Sequence, residues 1–368
     1  MPFYASLLDS MNQTERRRAT ARLLDLRAQL SAEIPEKDTD NTVLLATWNI
    51  REFDSGSYGQ RLPETLLYIA EIVNRFDLIA IQEVRGDLRA LKQLLRVLGG
   101  SWSYLFSDVT EGRPGNDERM CFVYDSRKIR FGGLAGELVL PAIEVRENGR
   151  TVRKPVEQVA RTPFMAGFKA GWTDFVLATV HILYGTPEAI DPKRLREIRE
   201  VAALLGMRAR SRSGWSRNLI LLGDFNIFSR SDATLTAMTD EGFLIPERLQ
   251  TIPGSNVKKD KFYDQIAFNA RTGFFDLADP AHPENSAGVF DFFETVFTED
   301  DQPTYRSYMG DAYERNSEGN PRPDTGVGSK QSYYRTYWRT YQMSDHLPMW
   351  TKLRIDYTDD YLTSRRDE

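Results

Sequence analysis

Leu219-Ile220-Leu221-Leu222-Gly223-Asp224-Phe225-Asn226 joins a run of four aliphatic residues to a polar end. Such a run is typical of a buried strand, so the sequence predicts Asp224 and Asn226 at a strand's carboxyl end. Near the other end of the chain, Ser344-Asp345-His346 places a carboxylate beside one of only three histidines. An acid, an amide and an imidazole at strand ends are the groups that metal-assisted phosphate chemistry requires.

The composition is that of an ordinary globular protein. Of 368 residues, 41% are hydrophobic and 27% are charged, which suffices for a substantial core. The formal charge of −5 means that a nucleic-acid partner would need a local basic surface. A single cysteine, Cys121, favours a reducing compartment, and neither a signal peptide nor a membrane-spanning stretch is recognisable. We therefore expect a cytoplasmic protein without a membrane partner.

Three parts of the chain differ in pattern. We expect an N-terminal helical extension and linker at residues 1–40, a main domain at 41–357 and a polar C-terminal tail at 358–368. Within Gln13–Leu30 the leucines 23, 24, 26 and 30 are spaced like a helix stripe, which predicts a helix packed on the outside of the main domain. A separate partner-binding role is the alternative.

Strand and helix patterns alternate through the main domain. Helices are predicted for Pro63–Arg75, for a segment ending near Leu98 and for Pro187–Met207, and a long surface loop for Glu299–Ser332. The predicted strands are Val43–Asn49, Asp77–Glu83, Trp102–Phe106, Arg119–Tyr124, Thr162–Lys169, Phe175–His181, Asn218–Asp224, Tyr263–Phe268 and Pro348–Ile355. Strands outnumber helices, which favours a layered α/β sandwich of two packed sheets with helices outside.

Five segments share one arrangement, an apolar strand that ends in polar residues able to bind metal or phosphate. They are Ala46–Asn49, Ile79–Glu83, Ala178–His181, Leu222–Asn226 and Ser344–Pro348. Each alone has a structural explanation: Glu83 as a helix cap, His181 as a satisfied buried histidine, residues 224–226 as an ordinary turn. Five such segments in this order indicate that their polar residues form one site.

The order WNI, QEV, TVH, GDFN and SDHLP resembles the endonuclease/exonuclease/phosphatase superfamily, and within it the deoxyribonuclease I-like branch. The resemblance covers about residues 43–355. It implies an α/β fold, a four-layer sandwich of two packed, mostly antiparallel sheets flanked by helices. It also implies one active site at the mouth between the sheets and hydrolysis of a phosphate ester with Mg²⁺, or with Mn²⁺ or Ca²⁺.

The resemblance assigns metal binding to three residues. Glu83 matches the principal ligand, because a carboxylate oxygen suits a hard cation such as Mg²⁺. Asn49 and Asp345 match the positions that complete or support that metal site.

Catalytic roles are implied in the same way. Asp224 matches the carboxylate that activates or orients the attacking water, and Asn226 the amide that donates to a phosphoryl oxygen. His346 matches the imidazole that contacts the phosphate and serves in acid–base chemistry.

Four further residues resemble features of the deoxyribonuclease I-like branch. His181 takes a position where many abasic-site endonucleases carry tyrosine. Asp264 matches the carboxylate partner of His346, and Glu118 that of His181. Arg161 resembles an arginine that holds a substrate phosphate, although Glu118 and Arg161 are also compatible with a surface ion pair.

The segment Tyr333–Tyr341 reads YYRTYWRTY and runs into Ser344-Asp345-His346. As a strand it would place Arg335, Arg339 and three tyrosines on one face, because side chains alternate with period two. Arginines for phosphates and aromatic rings for bases would suit nucleic acid. The alternative is a partly buried strand whose tyrosines pack.

The leading functional hypothesis is a Mg²⁺-dependent nuclease, an endodeoxyribonuclease with DNA as its partner. The second is a phosphoesterase of the same superfamily acting on a phosphoinositide, sphingomyelin or another small phosphate ester. The segment Phe262–Gln265 lacks the tryptophan–cysteine–aspartate–arginine pattern usual in inositol phosphatases. A third hypothesis, a non-catalytic scaffold, is disfavoured because every catalytic position carries a competent residue.

Overall fold

Apolar runs of the sequence build two facing sheets with helices on their outer sides. A computed structural model describes residues 2–53, 60–86, 88–110, 117–211, 218–270, 276–279 and 281–367. The strands are β1 (Thr42–Phe53), β2 (Leu78–Arg85), β3 (Trp102–Phe106), β4 (Glu118–Asp125), β5 (Ile129–Glu137), β6 (Ile143–Glu147), β7 (Arg150–Lys154), β8 (Phe164–Ala170), β9 (Thr173–His181), β10 (Leu219–Asp224), β11 (Asp264–Asn269), β12 (Ala287–Val289) and β13 (Met349–Arg354).

The helices are α1 (Ala5–Leu8), α2 (Gln13–Glu33), α3 (Pro63–Asn74), α4 (Arg89–Leu98), α5 (Pro192–Arg210), α6 (Ala233–Thr239), α7 (Glu247–Thr251), α8 (Gln302–Met309), α9 (Asp311–Glu314), α10 (Lys330–Tyr333), α11 (Arg339–Gln342) and α12 (Thr358–Asp367). None of the described helices is long and apolar enough to cross a membrane.

The two sheets are mixed, with antiparallel pairing dominant. The six-stranded sheet has the order β12-β13-β1-β2-β4-β3 and the five-stranded sheet the order β11-β10-β9-β8-β5. Among the described strand pairs, β1 and β2 are the parallel pair of the first sheet, and β9 and β10 that of the second. The α/β sandwich expected from the sequence is therefore confirmed. Strands β6 and β7 form a separate, largely exposed hairpin.

Two apolar cores hold the layers together. Between the sheets, Leu45 and Phe122 pack in one cluster with Leu177 and Leu221. Outside the first sheet, Trp48 packs in a second cluster with side chains of α2, α3 and α4. Both clusters follow from strands that carry apolar residues on both faces.

The N-terminal helix α2 covers part of the outer core. Asn12 and Glu15 form a reciprocal capping box at its start. Leu26 and Leu30 are buried, whereas Leu24 of the predicted stripe is exposed. Arg18 of α2 pairs with Glu64 of α3 across 2.9 Å.

The long surface loop predicted for Glu299–Ser332 is wrong in part, because the segment contains α8 and α9. Tyr305, Met309 and Tyr313 recur every four residues and are buried in the outer core. Helical spacing of apolar side chains thus outweighed the Gly-, Pro- and Asp-rich composition.

The strand predicted for Tyr333–Tyr341 is also wrong. The segment is helical, with a π-helical turn at Tyr334–Trp338 between α10 and α11. A helix does not place alternate residues on one face. Tyr334 and Trp338 instead stack on each other, with ring centroids 5.8 Å apart, inside the outer core.

Candidate active site

Strand direction gathers the polar motif residues of the first sheet at one edge. Because β1 and β2 are parallel, Asn49 and Glu83 lie at the same end of that sheet. Strand β4 runs the other way, so its first residue, Glu118, pairs with Arg85 at that end.

The directions of the strands also bring the motif residues of the second sheet together at one edge. In the parallel pair β9–β10, His181 lies directly opposite Asp224. The antiparallel strand β11 begins with Asp264, which is opposite Asp224 on its other side. Asn49 Nδ2 donates to Asp224 Oδ2 at 2.9 Å and thereby joins the two edges.

The backbone is strained at several of these positions. Glu83 and Asn226 have φ angles of +60° and +52°, in the left-handed region that non-glycine residues seldom adopt. The pairing register of β2 with β4 shifts between Ile81 and Val84, and such bulges redirect a side chain. Gly223 has a φ of +136°, and a Cβ there would lie 2.2 Å from the Val180 carbonyl oxygen. Strain of this kind is characteristic of functional sites.

A cavity of about 370 Å³ opens between the two sheet edges. The predicted site residues in its wall are Glu83, Glu118, Arg161, His181, Asp224, Asn226, Asp345 and His346. Asn49 and Asp264 are buried directly behind this wall.

Ser344 ties the Ser344-Asp345-His346 segment to the end of β1. Its hydroxyl donates to the Asn49 carbonyl oxygen at 2.6 Å and accepts from the His346 N–H at 3.0 Å. Trp48 Nε1 donates to the His346 carbonyl oxygen at 2.9 Å. The first and last motifs therefore fix each other's position.

His346 is oriented by a buried carboxylate. Its Nδ1 lies 2.8 Å from Asp264 Oδ2, so the ring donates its Nδ1 hydrogen there and turns Nε2 toward Asp224 Oδ2, 3.7 Å away. Burial alone would lower the pKa of His346, but Asp264, Asp224 and Asp345 outweigh it and hold the pKa well above its ordinary value.

His181 has a similar arrangement, with a carboxylate at Nδ1 and Asp224 near Nε2. Its Nδ1 lies 2.8 Å from Glu118 Oε2, and its Nε2 lies 3.4 Å from Asp224 Oδ2. Glu118 Oε2 is also 2.7 Å from Arg161 Nε, and its Oε1 is 3.4 Å from Arg85 Nη2. Asp224 thus lies between two imidazoles, each held by its own carboxylate.

A sequence model of the endonuclease/exonuclease/phosphatase family matches residues 46–358. The chain belongs to this family. As a member it is a phosphoesterase, a hydrolase of phosphate esters. No curated relative matches the chain's sequence.

Several solved structures are similar to this chain at low sequence identity. A humanized D. rerio TDP2 carrying 14 mutations is 12% identical with a TM-score of 0.50, covering 85% of this chain and 99% of that one. The mannosyl-6-phosphatase of Bacteroides thetaiotaomicron VPI-5482 is 15% identical, with a TM-score of 0.47 and coverages of 85% and 100%. The human nocturnin catalytic domain with bound sulfate is 12% identical, with a TM-score of 0.46 and coverages of 85% and 94%.

The acidic side of this phosphoesterase cavity has the features of a cation site. Ligand atoms of Glu83, Glu118 and His181 all lie within 4.8 Å of one another. Burial raises the pKa of Glu83; His181 opposes this effect, whereas Glu118 and Asp345 add to it. Asn49 Oδ1 is buried without a hydrogen-bond partner, which is costly for an amide oxygen. A crowded set of carboxylates and an orphaned amide oxygen fit a hard divalent cation.

The structure separates the three predicted substrate-binding arginines. Arg161 lies in the cavity wall, but among the described residues of that wall neither Arg335 nor Arg339 occurs. Arg339 is buried with its guanidinium 4.4 Å from the Phe293 ring centroid. Arg335 is exposed, 3.9 Å from Glu299. Assigning Arg335 and Arg339 to a shared strand face was therefore incorrect, because the segment is helical.

Sequence reasoning missed five residues of the cavity wall, Arg51, Glu52, Arg85, Tyr184 and Tyr263. All five lie within three residues of a motif residue in the chain. Arg51, Glu52 and Arg85 lie in the last residues of β1 and β2, Tyr263 lies just before β11, and Tyr184 lies in the loop after β9. That proximity was the available signal. Tyr184 follows β9 and depends on the path of a loop, which periodicity does not predict.

Proposed function

We propose that the protein is a divalent-metal-dependent nuclease that hydrolyses DNA phosphodiester bonds, an endodeoxyribonuclease that uses Mg²⁺. One observation carries the proposal. Two imidazoles, each with Nδ1 2.8 Å from a buried carboxylate, direct their Nε2 atoms at the same carboxylate, Asp224.

Two such imidazoles suit a phosphodiester. In-line displacement needs proton transfer at two places, because the attacking water loses a proton and the leaving oxygen on the opposite side gains one. Asp224 orients and deprotonates the attacking water, and His346 gives the proton that it holds at Nε2 to the leaving oxygen. His181 is the second imidazole beside Asp224. Asn226 has one amide hydrogen on the Ile182 carbonyl oxygen at 2.8 Å, and its other hydrogen serves a phosphoryl oxygen.

The charge of the cavity supports a cation. Its described wall carries five carboxylates (Glu52, Glu83, Glu118, Asp224 and Asp345) and three arginines, which leaves a formal charge of −2, or −1 with His346 protonated. A phosphodiester would be repelled by this charge, and one divalent cation balances it. Glu83 with Asn49 Oδ1 would hold the cation, supported by Asp345. Bound Mg²⁺ polarises a phosphoryl oxygen and neutralises charge that develops during displacement.

The substrate assay uses purified protein with Mg²⁺, with Mn²⁺ or with EDTA. Supercoiled plasmid, single-stranded DNA, RNA, a phosphoinositide, sphingomyelin and bis(p-nitrophenyl) phosphate are the substrates. We expect nicking and then linearisation of the plasmid, abolished by EDTA and by Asp224→Asn. His282→Ala is the matched control, because His282 is exposed.

Other outcomes have defined meanings. Hydrolysis of a small ester with DNA untouched contradicts the nuclease and supports a small-molecule phosphoesterase of the same family. Hydrolysis of none of the substrates would point to a scaffold.

Metal binding has a test that does not depend on activity. A ligand that binds only the folded state stabilises it by RT ln(1 + [L]/Kd), about 2.7 kcal/mol at a concentration of 100 Kd. We expect Mg²⁺ to raise the melting temperature of the native protein, and Glu83→Gln to abolish that rise. An equal rise in the Gln variant would place the cation elsewhere.

A further inference from the structure

An aromatic row leads from His346 toward solvent. The ring of Tyr263 lies 5.4 Å from the His346 ring, Phe228 lies 5.5 Å from Tyr263, and Tyr184 lies 5.7 Å from Phe228, measured between centroids. Phe228 is buried between the two tyrosines, and both tyrosines line the cavity. Tyr184 is the outermost ring and is 41% exposed.

A buried arginine holds the loop that carries Tyr184. Arg194, in the first turn of α5, is 0% exposed. Its guanidinium donates to the carbonyl oxygens of Tyr184 at 2.6 Å and Ala189 at 2.9 Å, and also to that of Glu188. The same group lies 4.6 Å from the Phe228 ring centroid. A buried cation is expensive unless it is satisfied, so the fold uses it to fix this loop and the ring behind Tyr184.

A second buried residue of α5, Glu197, connects this loop to the segment that carries Arg161. Glu197 Oε2 accepts from the Leu183 N–H at 3.0 Å, and its Oε1 accepts from the Ala160 N–H at 2.8 Å. Ala160 precedes Arg161, which pairs with Glu118 in the cavity wall. One helix therefore sets both Tyr184 and Arg161 relative to the catalytic groups.

We propose that Tyr184 is a stacking platform for a nucleobase next to the scissile phosphate, and that Arg194 is the positioning residue that holds it there. This inference rests on the proposed DNA substrate. A phosphate bound near His346 and Asn226 would place the adjoining nucleoside along the aromatic row, which ends in the half-exposed ring of Tyr184. Base–aromatic stacking is tolerant of sequence, so Tyr184 contributes affinity without base preference.

The test uses thymidine oligonucleotides, each with one abasic residue at a successive position, and maps cleavage at every bond. In the native protein, an abasic residue at the platform position slows cleavage about tenfold to a hundredfold, the range that loss of one stacking contact gives. We expect Tyr184→Ala to raise KM on the intact strand by a similar factor with kcat retained, because stacking is equal in ground and transition states. In this variant the abasic residue should cause no further loss.

Two variants serve as controls. Tyr184→Phe keeps the ring and should behave like the native protein. Tyr104→Ala removes a ring of similar exposure, 39%, that lies on β3 outside the described cavity wall, and should change nothing. Arg194→Met should reduce the discrimination between intact and abasic strands while a small diester is still hydrolysed.

Equal sensitivity of Tyr184→Ala and the native protein to the abasic residue overturns the inference. So does a fall in kcat at constant KM, which would indicate disturbed catalytic groups. A native protein that leaves DNA intact but hydrolyses another ester overturns the proposed function itself, and this inference with it.

Discussion

Asp264 fixes the orientation of the His346 ring. It accepts the Nδ1 hydrogen at 2.8 Å, and its own N–H donates to the Ser255 hydroxyl at 3.0 Å. Asparagine at this position keeps the shape and the backbone contact, but its amide can donate to Nδ1 and stabilise the wrong tautomer. In the Ser-His-Asp triad of other hydrolases, the same exchange lowers kcat by about four orders of magnitude.

We therefore expect Asp264→Asn to lower kcat by about three to four orders of magnitude with little change in KM or melting temperature. Steady-state kinetics on the best substrate and thermal unfolding measure the two effects. Adding His346→Ala to Asp264→Asn should cost little more, since the two residues act as a unit. Full additivity of the two losses would show that Asp264 acts independently of His346.

For individual residues, the sequence predicts which polar side chains lie at the ends of strands. Glu83, His181 and Asp224 could be assigned to one site because they belong to five strand-end motifs whose order resembles this family. The placement of Tyr184 could not be predicted, since it depends on backbone carbonyls that Arg194 gathers. Arg194 itself lies in a helix of mixed composition, where nothing in the pattern distinguishes a buried arginine from an exposed one.

Among the elements, α5 depends on its N-cap. Asp191 Oδ1 accepts from the N–H groups of Lys193 at 2.9 Å and Arg194 at 3.0 Å, and Oδ2 accepts from Thr186. The backbone hydrogen bond from Arg194 is the main reason that the pKa of Asp191 lies below its ordinary value. A carboxylate with a lowered folded pKa stabilises the protein above its unfolded pKa, about 3.9, and this contribution is lost as pH falls through the folded value.

Asp191→Ala should therefore lower the free energy of unfolding by about 1–2 kcal/mol at pH 7. The difference from the native protein should shrink as pH falls below about 4. Urea unfolding across this pH range measures both effects. Asp359→Ala, in the exposed first turn of α12, is the control and should have little effect. A difference that is the same at all pH values would mean that the cap acts by shape and not by charge.

The segment Tyr333–Tyr341 shows where element prediction fails. Its alternating tyrosines and arginines fit period two, yet Tyr334 and Trp338 also fit helical spacing. The helical pattern prevails because it buries the rings of Tyr334 and Trp338 together in the outer core. A nine-residue window contains no information about that core.

For the whole molecule, the site depends on how the two sheets face each other. Gln82 Nε2 of β2 donates to Thr179 Oγ1 of β9 at 2.9 Å, and Asn49 Nδ2 of β1 donates to Asp224 Oδ2 of β10 at 2.9 Å. The proposed metal ligands Glu83 and Asn49 lie on strands of the first sheet, and Asp224, the carboxylate proposed to activate water, lies on a strand of the second. Any shift of one sheet against the other would therefore separate Glu83 from Asp224.

The outer core that supports the first sheet includes the N-terminal helix. Leu26 of α2 is 0% exposed and belongs to the same apolar cluster as Ile79 and Ile81 of β2. If residues 13–33 fold as one unit with the sandwich, Leu26→Ala should lower the free energy of unfolding of the whole protein by about 2–5 kcal/mol. The unfolding transition should remain single and cooperative. The value of kcat should remain unchanged, because α2 contributes no residue to the described cavity wall.

Leu24→Ala is the matched control, two residues away on the same helix and 64% exposed, with an expected change within about 0.5 kcal/mol. Urea unfolding followed by circular dichroism and by tryptophan fluorescence distinguishes the models, because four of the six tryptophans, Trp48, Trp102, Trp338 and Trp350, lie in the outer core. Suppose that Leu26→Ala produced an early helical transition in circular dichroism while the fluorescence midpoint stayed unchanged. The N-terminal extension would then be a separate unit docked on the sandwich, and the boundary near residue 40 would be a true domain boundary. Coincident shifts of both probes would instead make α2 part of the layer that holds the catalytic edge in place.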